Sequence, residues 1–541
     1  MSGRLRRALR SPARIPLAVL AALLGVYTFR FGYAYGSGDH DELIPSVLAL
    51  LDGRLFTRDW LIQAVLTGVN VRTAFVVALA VAGKLAPLSV AVAGLHALVW
   101  SATAAGVYAL GWELTRSRLA AALGTTLALV VAPTWAIGSN ALVAPAVLPE
   151  SVAWALALPA LVLWLRGRWV AAGVLLGLAA WVHLLVGGLV GLWLGLVLLR
   201  RSVDARDTVR IRDAVRFGLA AVGTALPILV PVALDQATQH ADPSGPSPLW
   251  VHAVFRNPWH HLFFSFAPGQ QVRFWGMMAL GVAALVGLRR RGGVHHALSI
   301  VRLWLVAAAL GAVAVAFVEV WPVETVAKVQ FFKLAVPSLL FAALLVGGVA
   351  ASAVPTAWRT RAAAVWGRTA VPLGVLAVGL VALGIGMGVR GAGPYAGRLQ
   401  PVTQPDTDLG RIETWARRET LDGALFVVPP SASTFRTYAR RSVVITWNGF
   451  VFGDRAMQTW AERLLEVAPI DPPPRGADPR PDLDRAYAAQ SPGDWIALAS
   501  RYGADYAVVP DSLALPFPVA HHDRGWTVVR LPRFRVLPLA E

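Results

Sequence analysis

Three acidic residues fall within four positions in the stretch GSGDHDEL: Asp39, Asp41 and Glu42. The stretch follows an apolar run, and carboxylates beside such a run tend to face water, a cation or a substrate because they are costly to desolvate. One acid is therefore a candidate general base, while a neighbour holds a metal ion or a hydroxyl. The alternative is a solvated loop in which Asp41 or Glu42 caps a helix over 43–51.

Other candidate residues lie at the ends of later apolar runs. Glu150 begins one such run and is a candidate for the same pocket; the alternative is an acid that stabilises a helix N-terminus. His183 ends another run, and Arg256, His260 and His261 lie in the aromatic segment FRNPWHHLFFSF. These side chains are candidate substrate contacts, although hydrogen-bonded bundle histidines and interfacial aromatic segments show the same pattern.

The segment FVEVWPVETVAKVQFFKL contains Glu324, Lys328 and Lys333. A lysine ammonium is a compact positive charge that suits a phosphate group. Lys328 and Lys333 are therefore candidate contacts for the phosphate of a lipid carrier. The alternative is that they anchor the segment at a membrane interface.

Arginine also lies near aromatic residues late in the chain. Arg436 and Arg441 precede Trp447 and Trp460, and Arg58 lies in an earlier RDW motif. Such pairs suit contact with a sugar or a phosphate. The alternative is a solvated basic face above core aromatic residues.

The composition shows what must position these side chains. Of 541 residues, 56% are hydrophobic and 15% are charged, and the mean hydropathy is +0.58. A single soluble domain and a disordered chain are excluded, because soluble domains carry about 25% charged residues. The absence of cysteine excludes disulfides and thiolate chemistry. The net charge of +18 comes mainly from Arg clusters between apolar runs, which indicates membrane topology and argues against a nucleic-acid partner.

The apolar runs predict a polytopic membrane helix bundle of about 11 spans. The predicted spans are 15–34, 87–112, 119–133, 149–165, 169–183, 184–199, 217–234, 274–288, 300–320, 334–354 and 371–389. Residues 71–84 are apolar but short and are predicted to lie at the interface. The runs at 169–183 and 184–199 meet at His183, which predicts a tight hairpin.

Arginine alternates between the loops that join these runs. Arg-rich loops occur at 116–118, 166–168, 200–216, 289–291 and 359–368, whereas the loops near 134–149 and 183–188 contain no Lys or Arg. By the positive-inside rule, the N-terminus is cytoplasmic and the C-terminal segment is extracytoplasmic. This pattern predicts a multi-pass protein of the plasma membrane.

The composition changes near residue 390, where Pro, Asp and Arg become common. We therefore predict a membrane domain over 1–390 and an extracytoplasmic α/β domain over 391–541. Strands are predicted at 424–428, 443–447 and 506–509, and amphipathic helices at 454–467 and 492–502. No glycine-rich phosphate loop is present, so nucleotide binding is not predicted.

Together, the acidic first outer loop, the second outer acid, the many spans and the outer C-terminal domain resemble the GT-C superfamily of integral-membrane glycosyltransferases. The DHDE, RDW and FR…RR…W motifs are also similar to an uncharacterised branch of bacterial polytopic membrane proteins. The resemblance implies that Asp39 or Asp41 is the catalytic acid, with Glu42 beside it. It further implies a polyprenyl-phosphate sugar donor and an envelope glycan, lipid or protein as acceptor.

The cofactor stays open at this point. A divalent cation is a candidate, with Asp41 and Glu42 as its candidate ligands. Two other functions also stay open: a transporter or flippase of a lipid-linked or amphiphilic solute, and a non-catalytic scaffold for envelope assembly. Substitution of Asp39 and Asp41 separates a transferase from a transporter, because only a transferase would lose its glycan product.

Overall fold

The computed structural model describes residues 17–36, 38–204, 208–355, 357 and 407–532, and it is mainly helical. The chain divides into two compact units. Unit 1 takes its described residues from Met1–Tyr33, Val92–Val230 and Asn257–Leu399; unit 2 takes its own from Ala34–Ala91, Pro231–Arg256 and Gln400–Glu541. The acidic stretch after the first apolar helix therefore groups with the C-terminal residues. The predicted domain boundary near residue 390 lies outside the described residues and stays a prediction.

The α-helices of the first half are α1 (Leu17–Phe31), α2 (His40–Leu51), α3 (Trp60–Leu66), α4 (Thr73–Leu85), α5 (Leu88–Thr115), α6 (Arg118–Thr126), α7 (Pro149–Leu165), α8 (Trp169–Val182), α9 (Leu184–Asp204) and α10 (Thr208–Thr238). Those of the second half are α11 (Pro258–His261), α12 (Pro268–Arg290), α13 (Ala297–Ala314), α14 (Glu324–Val329), α15 (Ala335–Ala353), α16 (Asp408–Glu419), α17 (Phe435–Ala439), α18 (Asp454–Val467), α19 (Arg480–Ala488) and α20 (Pro492–Tyr502). Short π-helical segments cover Leu127–Val131, Trp250–Arg256 and Val315–Val320, and 3₁₀ turns cover Phe263–Ser265 and Phe331–Leu334.

The described residues include five helices long and apolar enough to cross a membrane: Leu88–Thr115, Ile211–Thr238, Pro268–Arg290, Ala297–Val320 and Glu324–Ala353. Shorter apolar helices cover Val19–Phe31, Thr73–Leu85, Arg118–Val131, Pro149–Leu165, Trp169–Val182 and Leu184–Arg200. Each predicted span except 371–389, which lies outside the described residues, overlaps one of these helices. The Arg-rich residues 4–14 also lie outside the described residues. The chain thus has the helices of a multi-pass membrane protein, while the count of eleven spans stays a prediction.

Small residues let the helices of unit 1 approach closely. At the contact of α6 with α15, a Cβ atom added at Gly347 would lie 2.6 Å from the Cα of Gly124. Without a hydrophobic driving force between helices in lipid, such close backbone packing is a main source of association. The predicted hairpin is also present: α8 ends at Val182, His183 is extended, and α9 begins at once and packs back on α8.

Unit 2 contains a five-stranded sheet in the order β2–β1–β3–β5–β4. The strands are β1 (Leu425–Val427), β2 (Ser442–Val443), β3 (Tyr506–Pro510), β4 (Val519–Asp523) and β5 (Trp526–Arg530). β1 pairs in parallel with β2 and β3, whereas β5 is antiparallel to β3 and β4. Its core is apolar and includes Phe426, Phe435 and Val508.

The predicted elements of this unit are partly confirmed. The helices over 454–467 and 492–502 have the predicted bounds, and the strands predicted at 424–428 and 506–509 coincide with β1 and β3. The strand predicted over 443–447 is wrong beyond residue 443: β2 ends there, and the backbone N–H of Trp447 donates to the carbonyl of Pro430, beyond the end of β1. The helix predicted over 43–51 begins earlier, at residue 40.

Candidate functional site

The Asp41 carboxylate is fully buried in unit 2, and both of its oxygens accept hydrogen bonds from the chain. Arg436 donates from Nη1 to Oδ1 at 3.2 Å, and Thr446 donates from Oγ1 to Oδ2 at 2.5 Å. The backbone N–H of Gly449 donates to Oδ2 at 3.2 Å. Burial raises the pKa of Asp41, and Arg436 and Thr446 act against this increase. The Asp41 carboxylate is therefore engaged by protein groups.

Arg436 links this carboxylate to a second one. Its Nε donates to Oδ2 of Asp59 at 2.7 Å, so one fully buried guanidinium bridges two fully buried carboxylates. Asp59 also caps α3 by accepting from the backbone N–H of Ile62 at 3.2 Å, and it accepts from Val443 at 2.8 Å. Burial would lower the pKa of Arg436, but Asp59 and Asp41 outweigh it and raise that pKa. We call Asp41, Asp59 and Arg436 the buried triad.

Glu42 lies next to the triad in sequence but has its own partners. Its Oε1 is 2.6 Å from Nη2 of Arg72, and its Oε2 accepts from the backbone N–H of Phe450 at 2.7 Å. The Arg72 guanidinium also lies over the ring of Phe452, 5.3 Å from its centroid. Burial raises the pKa of Glu42 to about 7, against the lowering effect of Arg72. Glu42 is thus a buried acid that titrates near neutral pH.

This pKa predicts how stability depends on pH. Between pH 4.5, the ordinary pKa of Glu42, and about 7, the native protein holds a proton that the unfolded chain has released. The contribution of Glu42 to the free energy of unfolding therefore decreases as the pH rises through that window, and it is constant at higher pH. We expect Glu42→Gln to flatten the fall of the thermal midpoint measured from pH 5 to pH 8. The control variant Asp482→Asn, at an exposed ion pair, should keep the wild-type fall of the midpoint. If Glu42→Gln also keeps that fall, the raised pKa of Glu42 is contradicted.

Asp39 differs from the other two acids. It is half-buried and precedes α2 as the N-cap residue, but its side chain makes no capping hydrogen bond. Within the described part of the chain, its carboxylate has no hydrogen-bond or ion-pair partner. Its charge nevertheless raises the pKa of both Glu42 and Arg256, so it lies in the same electrostatic environment. Asp39 is the acid of the three that keeps its acceptor capacity for a ligand.

Arg256 supplies the positive charge near Asp39. It ends the π-helical segment Trp250–Arg256, and its Nη2 donates to the backbone carbonyl of Asn448 at 3.1 Å. Its guanidinium carbon lies 5.0 Å from the ring centroid of Trp447 and 6.0 Å from that of Trp460, which fixes its position. Burial lowers the pKa of Arg256 to about 10, although Asp39 and Glu42 raise it.

The acids do not fit the divalent cation considered from the sequence. A cation would need the oxygens of Asp41 and Glu42, yet a guanidinium lies against each of these carboxylates. Over the described ranges, no three His, Cys, Asp or Glu side chains are grouped to hold a metal ion. We therefore derive no step through a cation bound to these two acids.

Two other predicted residues of unit 2 hold loops together. Arg58 donates to the backbone carbonyls of Gly423 and Gly503 and pairs with Asp505 at 2.6 Å. Arg441 donates to the carbonyls of Arg417 and Thr420 and pairs with Asp422 at 3.2 Å. Their guanidinium groups thus join neighbouring backbone segments.

Unit 1 brings four other predicted residues together. Nζ of Lys333 lies 3.0 Å from Oε2 of Glu150 and 3.2 Å from Oδ1 of Asn140. His183 and His260 are close enough to Glu150 to act on its charge. His260 also contacts the carbonyl of Gly138 through Nδ1 at 2.6 Å, next to Asn140 in the loop before α7. We call Lys333, Glu150 and Asn140 the lysine cluster.

The backbone before Lys333 explains its position. Helix α14 ends at Val329, Gln330 adopts a left-handed conformation with φ of 54°, and a 3₁₀ turn then carries Lys333. Glu324 and Lys328 lie on α14 and pair with each other at 2.7 Å. His261 is buried at the end of α11. The structure therefore separates Lys333 from Lys328, which the sequence treats alike.

An apolar cavity lies beside the lysine segment in unit 1. It has a volume of about 250 Å³, and its lining includes Phe263, Trp304 and Ser338. Phe332 and Leu334, the two neighbours of Lys333 in sequence, also line it. An apolar chain would find a matching environment here.

Several partners of these side chains were not predicted from the sequence. Asp59 is the aspartate of the RDW motif but was not among the predicted site residues, and Arg72, Thr446 and Asn140 stand in no local pattern. The single pocket predicted from Asp39, Asp41 and Glu150 stays a prediction, since these acids belong to different units.

Comparisons with known proteins give one family model and several solved structures. DUF6798, a domain of unknown function, matches residues 407–467, which contain Arg436 and Thr446 of the site above. No curated protein matches this chain. Among solved structures, ArnT from Cupriavidus metallidurans in the apo state is similar, with 16% identity, a TM-score of 0.48, and coverage of 95% of this chain and 97% of that chain.

Proposed function

We propose that this protein is a membrane glycosyltransferase that moves a sugar from a polyprenyl-phosphate donor to an extracytoplasmic acceptor, with Asp39 as the base. The observation that carries the proposal is the half-buried Asp39 carboxylate, which lacks a partner within the described chain and lies in the field of Arg256 and Glu42. Asp41 is the less suitable base, because its two oxygens already accept hydrogen bonds.

The proposed reaction is a single displacement. The acceptor hydroxyl oxygen attacks the anomeric carbon of the sugar, and its proton passes to Asp39. The bond between that carbon and the phosphate oxygen breaks, and its electron pair goes to the phosphate. One displacement inverts the configuration at the carbon, by analogy with inverting glycosidases. A phosphate leaves without being protonated, so one carboxylate suffices.

Lys333 is the residue that we propose for contact with the donor phosphate. It is nearly buried, and the segment that carries it also lines an apolar cavity of about 250 Å³. A cation next to an apolar cavity matches an amphiphile with an anionic headgroup. Lys328 is the less suitable contact, because it lies on α14, and the residues that line the cavity come from other described segments.

The experiment is a transfer assay with the full chain in lipid nanodiscs. Radiolabelled polyprenyl-phosphate hexoses and pentoses are offered with envelope glycolipid, glycan and peptide acceptors, and labelled product is measured. We expect transfer from one donor, reduced at least about tenfold in Lys333→Met. A flippase would instead move a fluorescent lipid across liposome membranes without product, and that result would overturn the proposal.

A further inference from the structure

We propose that Glu150 makes the lysine cluster selective for a monoanionic phosphodiester headgroup and against a dianionic phosphomonoester. The inference rests on the proposed contact between Lys333 and the donor phosphate. It adds a role for Glu150 that the transfer mechanism does not use: this carboxylate sets which charge state of the lipid phosphate the cluster accepts.

The geometry leaves room for one headgroup oxygen. The side chain of Lys333 is 6% exposed, and that of Glu150 is 23% exposed. An ammonium has three N–H donors, and in the described chain Asn140 and Glu150 accept from it. One donor is left for a ligand. Glu150 is itself held in place, because Nε1 of Trp154, one helical turn away, donates to its other oxygen at 3.4 Å.

The charges of the cluster give the selectivity. Lys333 and Glu150 together are neutral, so the cluster attracts an anion much less strongly than a lone lysine would. A bound phosphate oxygen would lie within a few ångströms of the Glu150 carboxylate, and each negative charge on the phosphate is repelled by it. For a dianion, the repulsion by Glu150 and the attraction by Lys333 both double and largely offset each other, whereas the cost of removing the phosphate from water rises more steeply with its charge. A monoanionic diester is therefore the better ligand.

This selectivity matches the chemistry of transfer. A donor of the form prenyl–O–PO₂⁻–O–sugar carries one negative charge. When the bond between the anomeric carbon and oxygen breaks, the electron pair stays on the phosphate, and the product prenyl–O–PO₃²⁻ carries two. Glu150 would thus favour the substrate over the product and promote release of the spent carrier.

The test compares two probes with the same tail: farnesyl phosphate, a dianion at pH 8, and its methyl diester, a monoanion. Binding to the full chain in neutral-lipid nanodiscs is measured by titration calorimetry at pH 8. We expect the wild type to bind the diester about tenfold more tightly than the monoester. In Glu150→Gln, the affinity for the monoester should increase by most of that factor, and the affinity for the diester should increase much less.

Controls separate the possible failures. Asp213→Asn removes a carboxylate paired with Arg216 elsewhere in unit 1 and should keep the wild-type ratio. Lys333→Met should lose both probes; if it binds both as the wild type does, the phosphate contact of the proposed function is wrong. If Lys333→Met loses both probes but Glu150→Gln keeps the wild-type ratio or weakens both, only the present inference is overturned. Inorganic phosphate binding as tightly as farnesyl phosphate would overturn the assignment to an amphiphile.

Discussion

Replacement of Asp39 by Asn is expected to lower the rate of sugar transfer by about 100- to 10,000-fold, the usual contribution of a positioned base. The thermal midpoint should not change, because in the described chain the Asp39 carboxylate makes no hydrogen bond that the amide would break. Transfer is measured as kcat at saturating donor, and the midpoint by tryptophan fluorescence of the same nanodisc preparation.

Asp41→Asn is the matched control, because Asp41 lies two residues along the chain and the substitution is equally isosteric. It replaces an acceptor of Arg436, Thr446 and Gly449 by a group with half the acceptor capacity, so the thermal midpoint should fall. Full transfer by Asp39→Asn would show that Asp39 is not the base. If Asp41→Asn loses transfer while its thermal midpoint is unchanged, Asp41 is the base.

Replacement of Arg436 by Met is expected to destabilise the protein by about 3–5 kcal/mol, the range measured when one partner of a buried ion pair is removed. The carboxylates of Asp41 and Asp59 are 0% exposed, and both would lose the guanidinium that compensates their charge. Met is chosen because it keeps an unbranched side chain of similar length. The midpoint of thermal unfolding of the full chain in nanodiscs measures the effect.

Two further variants test the cause. Arg436→Lys should recover part of the loss, because an ammonium can reach one carboxylate but does not span two as the guanidinium does. The triple variant Arg436→Met, Asp41→Asn, Asp59→Asn should recover more, since no buried charge is then left without a partner. A wild-type midpoint in Arg436→Met would contradict the role of the buried triad.

Local pattern was enough for much of the secondary structure. The helix Asp454–Val467 has an apolar period close to 3.6 residues, and its predicted bounds are those of the structure. The apolar runs likewise overlap helices wherever the chain is described. Burial of one face, or of all faces in lipid, imposes these patterns on neighbouring residues, so a short window of sequence contains them.

Elements that depend on distant partners could not be predicted in this way. Strand β4, with the sequence VAHHD, is a half-exposed edge strand that alternates weakly and exists because it pairs with β5. Arg441, predicted to contact substrate, donates to the carbonyls of Arg417 and Thr420, and its contact with a substrate stays a prediction. A single arginine in sequence does not show whether its partner will be a ligand or a backbone turn.

The sequence by itself determined the apolar helices, the basic loops and the presence of three acids at 39, 41 and 42, since these follow from residue type and local spacing. Only the tertiary structure decided which acid is available. Asp41 meets Arg436 across 395 positions of the chain, and Glu42 meets Phe450 across 408, whereas Asp39, on the same short stretch, meets no such partner among the described residues. Hydrogen bonds and ion pairs act over a few ångströms in space, so chain folding, not spacing along the chain, determines which carboxylate stays open.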